Sequence, residues 1–289
     1  MKLGRKDYTI AVKTGTDANK AKFKKECVQG EIYHATDTGF FYIAEVTAGA
    51  SDATLSKFGA TAFNQYSLSF DGTNNYLLMG TSAISLDTNF TISAWFKPTS
   101  NALAGYDFMC GWGNAASGES RVMQILHSKL SFEIYLSRVS GSTTLSADTW
   151  YHGAVTFSGN DVEIFLNGQS DGTGTLSRSS MASSLTFAGG TGTMTSVGFV
   201  PFSGLIDEFA VFDSVLSASQ ITNIYKGEES GGSGGTNGTP GDLSTFSPVG
   251  WWRMGDNDGG TGSTVTDQGS GGNDGTLTNG PTFSTTVPS

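Results

Sequence analysis

The side chains that could do chemistry are few, and their spacing rarely serves it. Glu163 stands alone on the strand that Val162 to Leu166 would form. Asp207 and Glu208 are adjacent, and neighbours on a strand face opposite sides, so they are not expected to act as an acid–base pair. Retaining glycoside hydrolysis needs two carboxylates about 5 Å apart. The only Gly-x-Ser-x-Gly, Gly231 to Gly235, lies in a glycine–serine run, not at the strained strand-to-helix turn a nucleophilic serine requires. His34, His127 and His152 show no metal-ligand spacing, and His152, just after Trp150-Tyr151, reads as structural. Cys27 and Cys110 lie far apart with no second Cys or His at ligand distance, so reduced thiols are expected, not a disulfide framework or a zinc site. No catalytic residues are expected, and the chain is read as something other than an enzyme.

The elements that would position these side chains are strands. The 289 residues include 40 Gly, and only 15% are charged, where ordinary globular chains carry about 25%. Such a composition disfavours long exposed helices and favours short strands joined by tight turns. Period-two alternation marks Tyr66 to Phe70 and Phe90 to Phe96, where Trp95 alone among the aromatics falls on the polar Thr91-Ser93 side, with further strands expected over 121–127, 130–136, 151–157, 162–166 and 205–212. Asn167-Gly168 is a hairpin turn in which both residues take positive φ. One short helix is expected: Ser217 and Gln220 form a capping box, Ile221, Ile224 and Tyr225 an apolar face, and Gly227 the stop. No apolar run reaches the roughly 18 residues of a membrane-spanning helix. The start, Met1 to Asp7, lacks the apolar segment of a secretory signal peptide.

Charge and composition divide the chain. Residues 1–60 hold nine basic and seven acidic residues, a net of +2, which leaves seven and nineteen, a net of −12, for the rest. The total of −10 argues against nucleic-acid binding by charge. The boundaries read as an N-terminal β module at 1–60, a β sandwich at 61–227, a Gly/Ser linker at 228–241 and C-terminal strands at 242–289.

The middle segment carries a resemblance. Ser67-Leu68-Ser69-Phe70-Asp71-Gly72, Phe90 to Pro98, Trp150 to Phe157 followed by Ile164 to Gly168, and Phe202 to Tyr225 occur in the order found in laminin-G-like, concanavalin-A-like domains. The resemblance implies an all-β antiparallel jelly-roll sandwich, a fold that hosts lectins, hydrolases and adhesion modules alike. Glycosidases of this fold carry Glu-x-Asp-x-x-Glu on one strand, and this chain has no such triplet. The resemblance also implies a structural calcium, an ion that takes six to eight oxygens. Asp71, Asn74 and Asn75 in one turn, with Asp207 approaching from the closing strand, are the candidate ligands; the same turn residues are also ordinary turn formers. Asp256-Asn257-Asp258-Gly259 is a weaker second candidate, with Thr261 where an EF-hand loop has glycine. Trp95, Tyr106, Trp112 and Tyr135 are the candidates to stack on sugar rings, set against the usual place of aromatics in a sandwich core.

Both ends add information. Gly30-Glu31-Ile32-Tyr33-His34-Ala35-Thr36-Asp37-Thr38-Gly39, followed by Phe40 to Ala44, resembles a short motif of bacteriophage tail fibres and other virion appendages. It reads as a hairpin of 31–35 and 40–44, marginal alone, which must be buried against something else. The run Lys20 to Lys25 is a solvated face or a contact for an acidic partner. Val249 to Asp256, Thr264 to Asp267 and Asn273 to Pro281 resemble the opening of the same sandwich, displaced to its C-terminal side. Residues 242–289 are therefore expected to complete the sheets, in the same chain or in a neighbour.

These readings converge on a bacteriophage virion protein, of capsid-decoration or tail-fibre type, that displays a glycan-binding jelly roll. A homotrimer is expected from the resemblance, with other virion proteins and host-surface glycans as partners and no nucleic acid or membrane insertion. A bacterial carbohydrate-binding adhesin is the alternative, and a glycoside hydrolase a more distant one.

Overall fold

The computed structural model describes residues 64–79, 89–113, 120–135, 137–178, 187–190, 200–232, 235 and 237–289, and the backbone of four strands nearer the N-terminus. The chain divides into two units, 1–63 and 64–289. In the first, β1 (Val12–Gly15), β2 (Ile32–Ala35), β3 (Phe41–Glu45) and β4 (Thr54–Lys57) form one sheet in that order. The hairpin is the β2–β3 pair, with Tyr33 opposite Tyr42; β1 adds in parallel and β4 antiparallel. The Asp37-Thr38-Gly39 turn, the Lys20–Lys25 run and Cys27 lie outside the described residues.

The second unit is a sandwich. Its strands are β5 (Ser67–Asp71), β6 (Tyr76–Leu78), β7 (Asn89–Pro98), β8 (Tyr106–Gly113), β9 (Ser120–Leu126), β10 (Lys129–Ile134), β11 (Ser137–Ser140), β12 (Tyr151–Ser158), β13 (Asp161–Leu166), β14 (Gln169–Thr175), β15 (Phe187–Ala188), β16 (Val200–Pro201), β17 (Ser203–Phe212), β18 (Gly250–Trp252), β19 (Thr264–Val265), β20 (Gly275–Thr278) and β21 (Thr282–Ser284). The first sheet runs β14-β13-β12-β7-β17-β5-β21, with β18 also on β17; the second runs β11-β10-β9-β8-β15-β6-β20-β19, with β16 on β8. Between them lies an aromatic core in which Phe90 stacks on Phe157 at 5.0 Å and meets the edge of Trp112 at 4.9 Å. Two hairpin turns, His127-Ser128 and Asn167-Gly168, take positive φ at both residues, as two-residue loops between twisted strands require.

Helix α1 (Ala218–Tyr225) begins at the Ser217–Gln220 capping box, and Gly227 follows its end at φ +65°. The glycine–serine stretch after it is tied down at several points. Gly235 N donates to Glu228 Oε1, Ser230 N to Thr245 Oγ1, and Asn223 Nδ2 to the carbonyls of Glu229 and Gly232. Composition alone reads this stretch as flexible, because it cannot show that the helix end offers partners for the linker backbone.

Beyond it, residues 250–284 enter both sheets of their own chain. β18 pairs with β17, β21 with β5, and β20 with β6. One edge of β17 is thereby divided: Ser203 to Ile206 pair with β5, and Phe209 to Val211 with β18. The change of partner falls at a bulge between Asp207 and Ala210.

Candidate functional site

That bulge builds the most heavily charged site in the described structure. Glu208 sits at φ +47°, which breaks the alternation of β17 and turns two successive carboxylates toward one place. Asp207, Glu208 and Asp256 each bring an oxygen within 4.8 Å of the others. The expectation that adjacent acids on a strand must diverge fails here, because it assumes an unbroken strand. Three chain segments meet in the gap between β5 and β18. Asn64 Nδ2 donates to Asp207 Oδ2 at 2.8 Å, and the backbone N–H groups of Gln65 and Tyr66 donate to Asp256 Oδ1 at 2.7 and 2.8 Å. Arg253 donates through Nε to Glu208 Oε1 and through Nη2 to Asp256 Oδ2, both at 3.1 Å. Trp251 Nε1 donates to Glu208 Oε2, and the Glu208 N–H to Asp207 Oδ1.

Burial dominates the electrostatics. It lifts Asp207 well above the ordinary carboxylate range, with the charges of Glu208 and Asp256 adding to the effect. It lifts Glu208 to about 7 against the pull of Arg253, and Asp256 in the same direction.

This donor set does not fit a calcium ion. All six carboxylate oxygens already accept from N–H groups, and a guanidinium occupies the cation's place. Asn64 Oδ1, buried without a partner, is a single spare oxygen where calcium needs six to eight. The expected ligands are also dispersed. Asp71 Oδ1 accepts from Thr73 N, and Asn75 Oδ1 from Asp71 N, a turn that satisfies itself. Asp71 faces Ser203, four residues from Asp207 along β17 and roughly 13 Å away. Asn74 uses its carbonyl to accept from Asn279. In the second candidate, Asp258 binds Thr266 while Asp256 joins the cluster, so those acids diverge.

The four aromatics do not share one surface. Trp112 is in the core. Trp95 does lie on the outer face of its sheet, but α1 covers it: Tyr225 stacks on it at 5.7 Å, and His152 lies at 5.2 Å. His152 is fully buried under α1, its Nε2 2.8 Å from Ser93 Oγ, and burial pushes it down to about 3, so it is a neutral packing side chain. Tyr135 is half-buried at the end of β10. Tyr106 is 37% exposed on the second sheet, with the Arg138 guanidinium 5.1 Å from its ring centre and His127 edge-on at 5.3 Å. Glu133 holds Arg138 at 3.4 Å and accepts from Gln124 at 2.9 Å. Glu163 is not alone on its strand. β13 starts at Asp161, one residue earlier than the apolar pattern suggests, and places a second carboxylate on the same face.

The sequence left Arg253 and Asn64 unmarked. Only the charged Arg-x-x-Asp following Trp251-Trp252, in a segment able to pair with the closing strand, hinted at them.

Residues 71–222 match the family model of the concanavalin A-like lectin/glucanases superfamily. No curated protein matches the chain in sequence. Among solved structures, a protein from Bacteroides ovatus described as carbohydrate-binding is 15% identical, covering 91% of this chain and 72% of its own, with a TM-score of 0.56. A heptameric SAP-like pentraxin from Limulus polyphemus is 18% identical over 56% of this chain and 82% of its own, with a TM-score of 0.44. The CBM40 of a Ruminococcus gnavus IT-sialidase, bound to α2,3-sialyllactose, is 15% identical over 55% and 95%, with a TM-score of 0.43.

Proposed function

The chain belongs to the concanavalin A-like lectin/glucanases superfamily, and we propose that it is a structural protein of a bacteriophage particle whose sandwich binds glycans on the host surface. The fold serves binders and hydrolases alike, so the choice rests on surface chemistry. The observation that carries it is the Tyr106–Arg138 pair. The ring is 37% exposed and the Arg138 guanidinium, held by the buried Glu133, lies over it, so a sugar would meet aromatic and planar cationic surface at one place. In contrast, the acid cluster is sealed by its own hydrogen bonds and is assigned to holding the fold.

The virion part of the reading rests on the Gly30–Ala44 motif, whose strands β2 and β3 belong to a unit separate from the sandwich. That unit anchors the chain to capsid or tail, as a homotrimer, and the sandwich faces the cell. Weak sites repeated over a particle bind strongly together. Electron microscopy of phage particles with an antibody to this chain tests the location, and a glycan array with the purified full chain tests the binding. Label on no particle overturns the first; an array blank for every glycan overturns the second.

A further inference from the structure

On the outer face of the first sheet, α1 covers Trp95, His152 and the start of β14, while the residues around Ser158, Asp161 and Thr175, at the other end of β12, β13 and β14, line an open groove. Its volume is about 420 Å³, within the range of small-ligand sites. Strand register gives its floor two parallel rows. Thr156 faces Glu163, which faces Thr173; Ser158 faces Asp161, which faces Thr175. Each row is a carboxylate flanked by hydroxyls, with neighbours about 4.8 Å apart across the strands and the rows about 7 Å apart along them. Val215, 42% exposed, forms one wall. It is held in place on both sides, because the Ser214 carbonyl accepts from Thr91 Oγ1 and the Leu216 N–H donates to the same oxygen.

From this geometry we infer that the groove is a second saccharide-binding subsite, on the sheet opposite Tyr106, that takes neutral pyranose oligosaccharides. The inference rests on the glycan-binding reading and gives it a further site and a ligand class. Carboxylates accept from sugar hydroxyls in short, charge-assisted bonds. The flanking Thr and Ser hydroxyls both donate and accept, so they match hydroxyls of either orientation. Val215 meets the C–H face of a ring. Among the described residues no basic side chain lines the groove, so sialic acids, uronates and phosphates meet the two carboxylates Asp161 and Glu163. Metal chelation is disfavoured because the acids stand in separate rows and Glu163 Oε1 already accepts from Ser170 Oγ at 2.6 Å.

The test uses the full chain and isothermal titration with neutral probes (lactose, cellobiose, maltotriose and chitobiose) and charged ones (sialyllactose and digalacturonate). A neutral probe is expected to bind with a millimolar dissociation constant, unchanged by chelator. The pair D161N and E163Q together should weaken it at least tenfold, and T173W, which fills the groove from an exposed position, should abolish it, both with unchanged melting temperature. Neutral binding that survives both variants overturns the subsite. Binding confined to charged probes overturns it too, while the glycan-binding reading stands. A chain that binds none of the probes but lights up other array glycans also overturns only the subsite. A blank array removes both.

Discussion

Arg253 reaches Glu208 across the linker: its Nε donates to Oε1 at 3.1 Å, between side chains almost wholly buried. The same guanidinium holds Asp256, which in turn accepts from the first residues leading into β5. The contact joins the closing strand, the C-terminal segment and the start of the sandwich where β17 changes partner.

The guanidinium therefore acts as the resident cation of the sandwich. Arg253→Met should destabilise the protein by about 3–5 kcal/mol, because three buried carboxylates then face one another without compensation. Chelator and added calcium should leave the wild-type melting curve unmoved. A bound ion at a hundredfold its dissociation constant would add about 2.7 kcal/mol, an easily seen rise in melting temperature. Differential scanning calorimetry with and without calcium decides; such a rise in the wild type refutes the assignment.

The cluster also sets a pH dependence. Glu208 is raised from 4.5 to about 7, and Asp207 and Asp256 are raised as well. Each raised acid contributes stability that is complete below its unfolded value and is lost as pH climbs through its folded value, which for Glu208 places the loss between about pH 4.5 and 7. His152, lowered to about 3, acts oppositely, destabilising the fold as pH drops below 6.5. Three cluster acids outweigh one histidine, and Asp107, raised to about 7 by burial, adds to their side. Stability should fall on going from pH 5 to pH 7.5, and Glu208→Gln should flatten that fall. Urea denaturation at several pH values measures it; a wild-type profile that rises with pH contradicts the cluster's electrostatics.

Removing 242–289 should uncover an edge of β5, an edge of β6 and half of one edge of β17. It should also remove Trp252, which stacks on Phe209 at 5.3 Å in the core. Loss of that ring alone, as Trp252→Ala, should cost about 3–5 kcal/mol. The deleted form should aggregate through its open edges, as light scattering would show. Melting and solubility equal to the full chain would mean that the segment is dispensable.

Much of this architecture is legible in the sequence, because period-two alternation and turn residues are local. The strands at 67–71, 151–158 and 203–212 and the capping box at Ser217 follow from neighbours within a few positions. The acid cluster is not legible in the same way. It depends on a bulge at Glu208 and on residues 191 and 45 positions apart in the chain, and no local pattern encodes either. Trp95 shows the same limit: its place on the outer face of β7 was readable, but the covering ring of Tyr225 comes from a helix 130 residues later.

Trp95 and Tyr106 therefore separate packing from recognition. Trp95→Ala removes a ring that is 3% exposed and sandwiched near Tyr225 and His152, and it leaves a cavity under α1. It should lower stability by about 3–5 kcal/mol, with any change in glycan binding following the loss of folded protein. Tyr106→Ala removes an exposed ring whose main neighbours are the Arg138 guanidinium and His127. A cation–π contact at such a site contributes about 0.5–1 kcal/mol, so the melting temperature should move little. Binding on a glycan array should drop sharply, because the apolar platform is gone while the fold remains. Equal array signals for Tyr106→Ala and wild type, at equal folded concentration, would remove Tyr106 from the binding surface and leave the opposite sheet as the place to look.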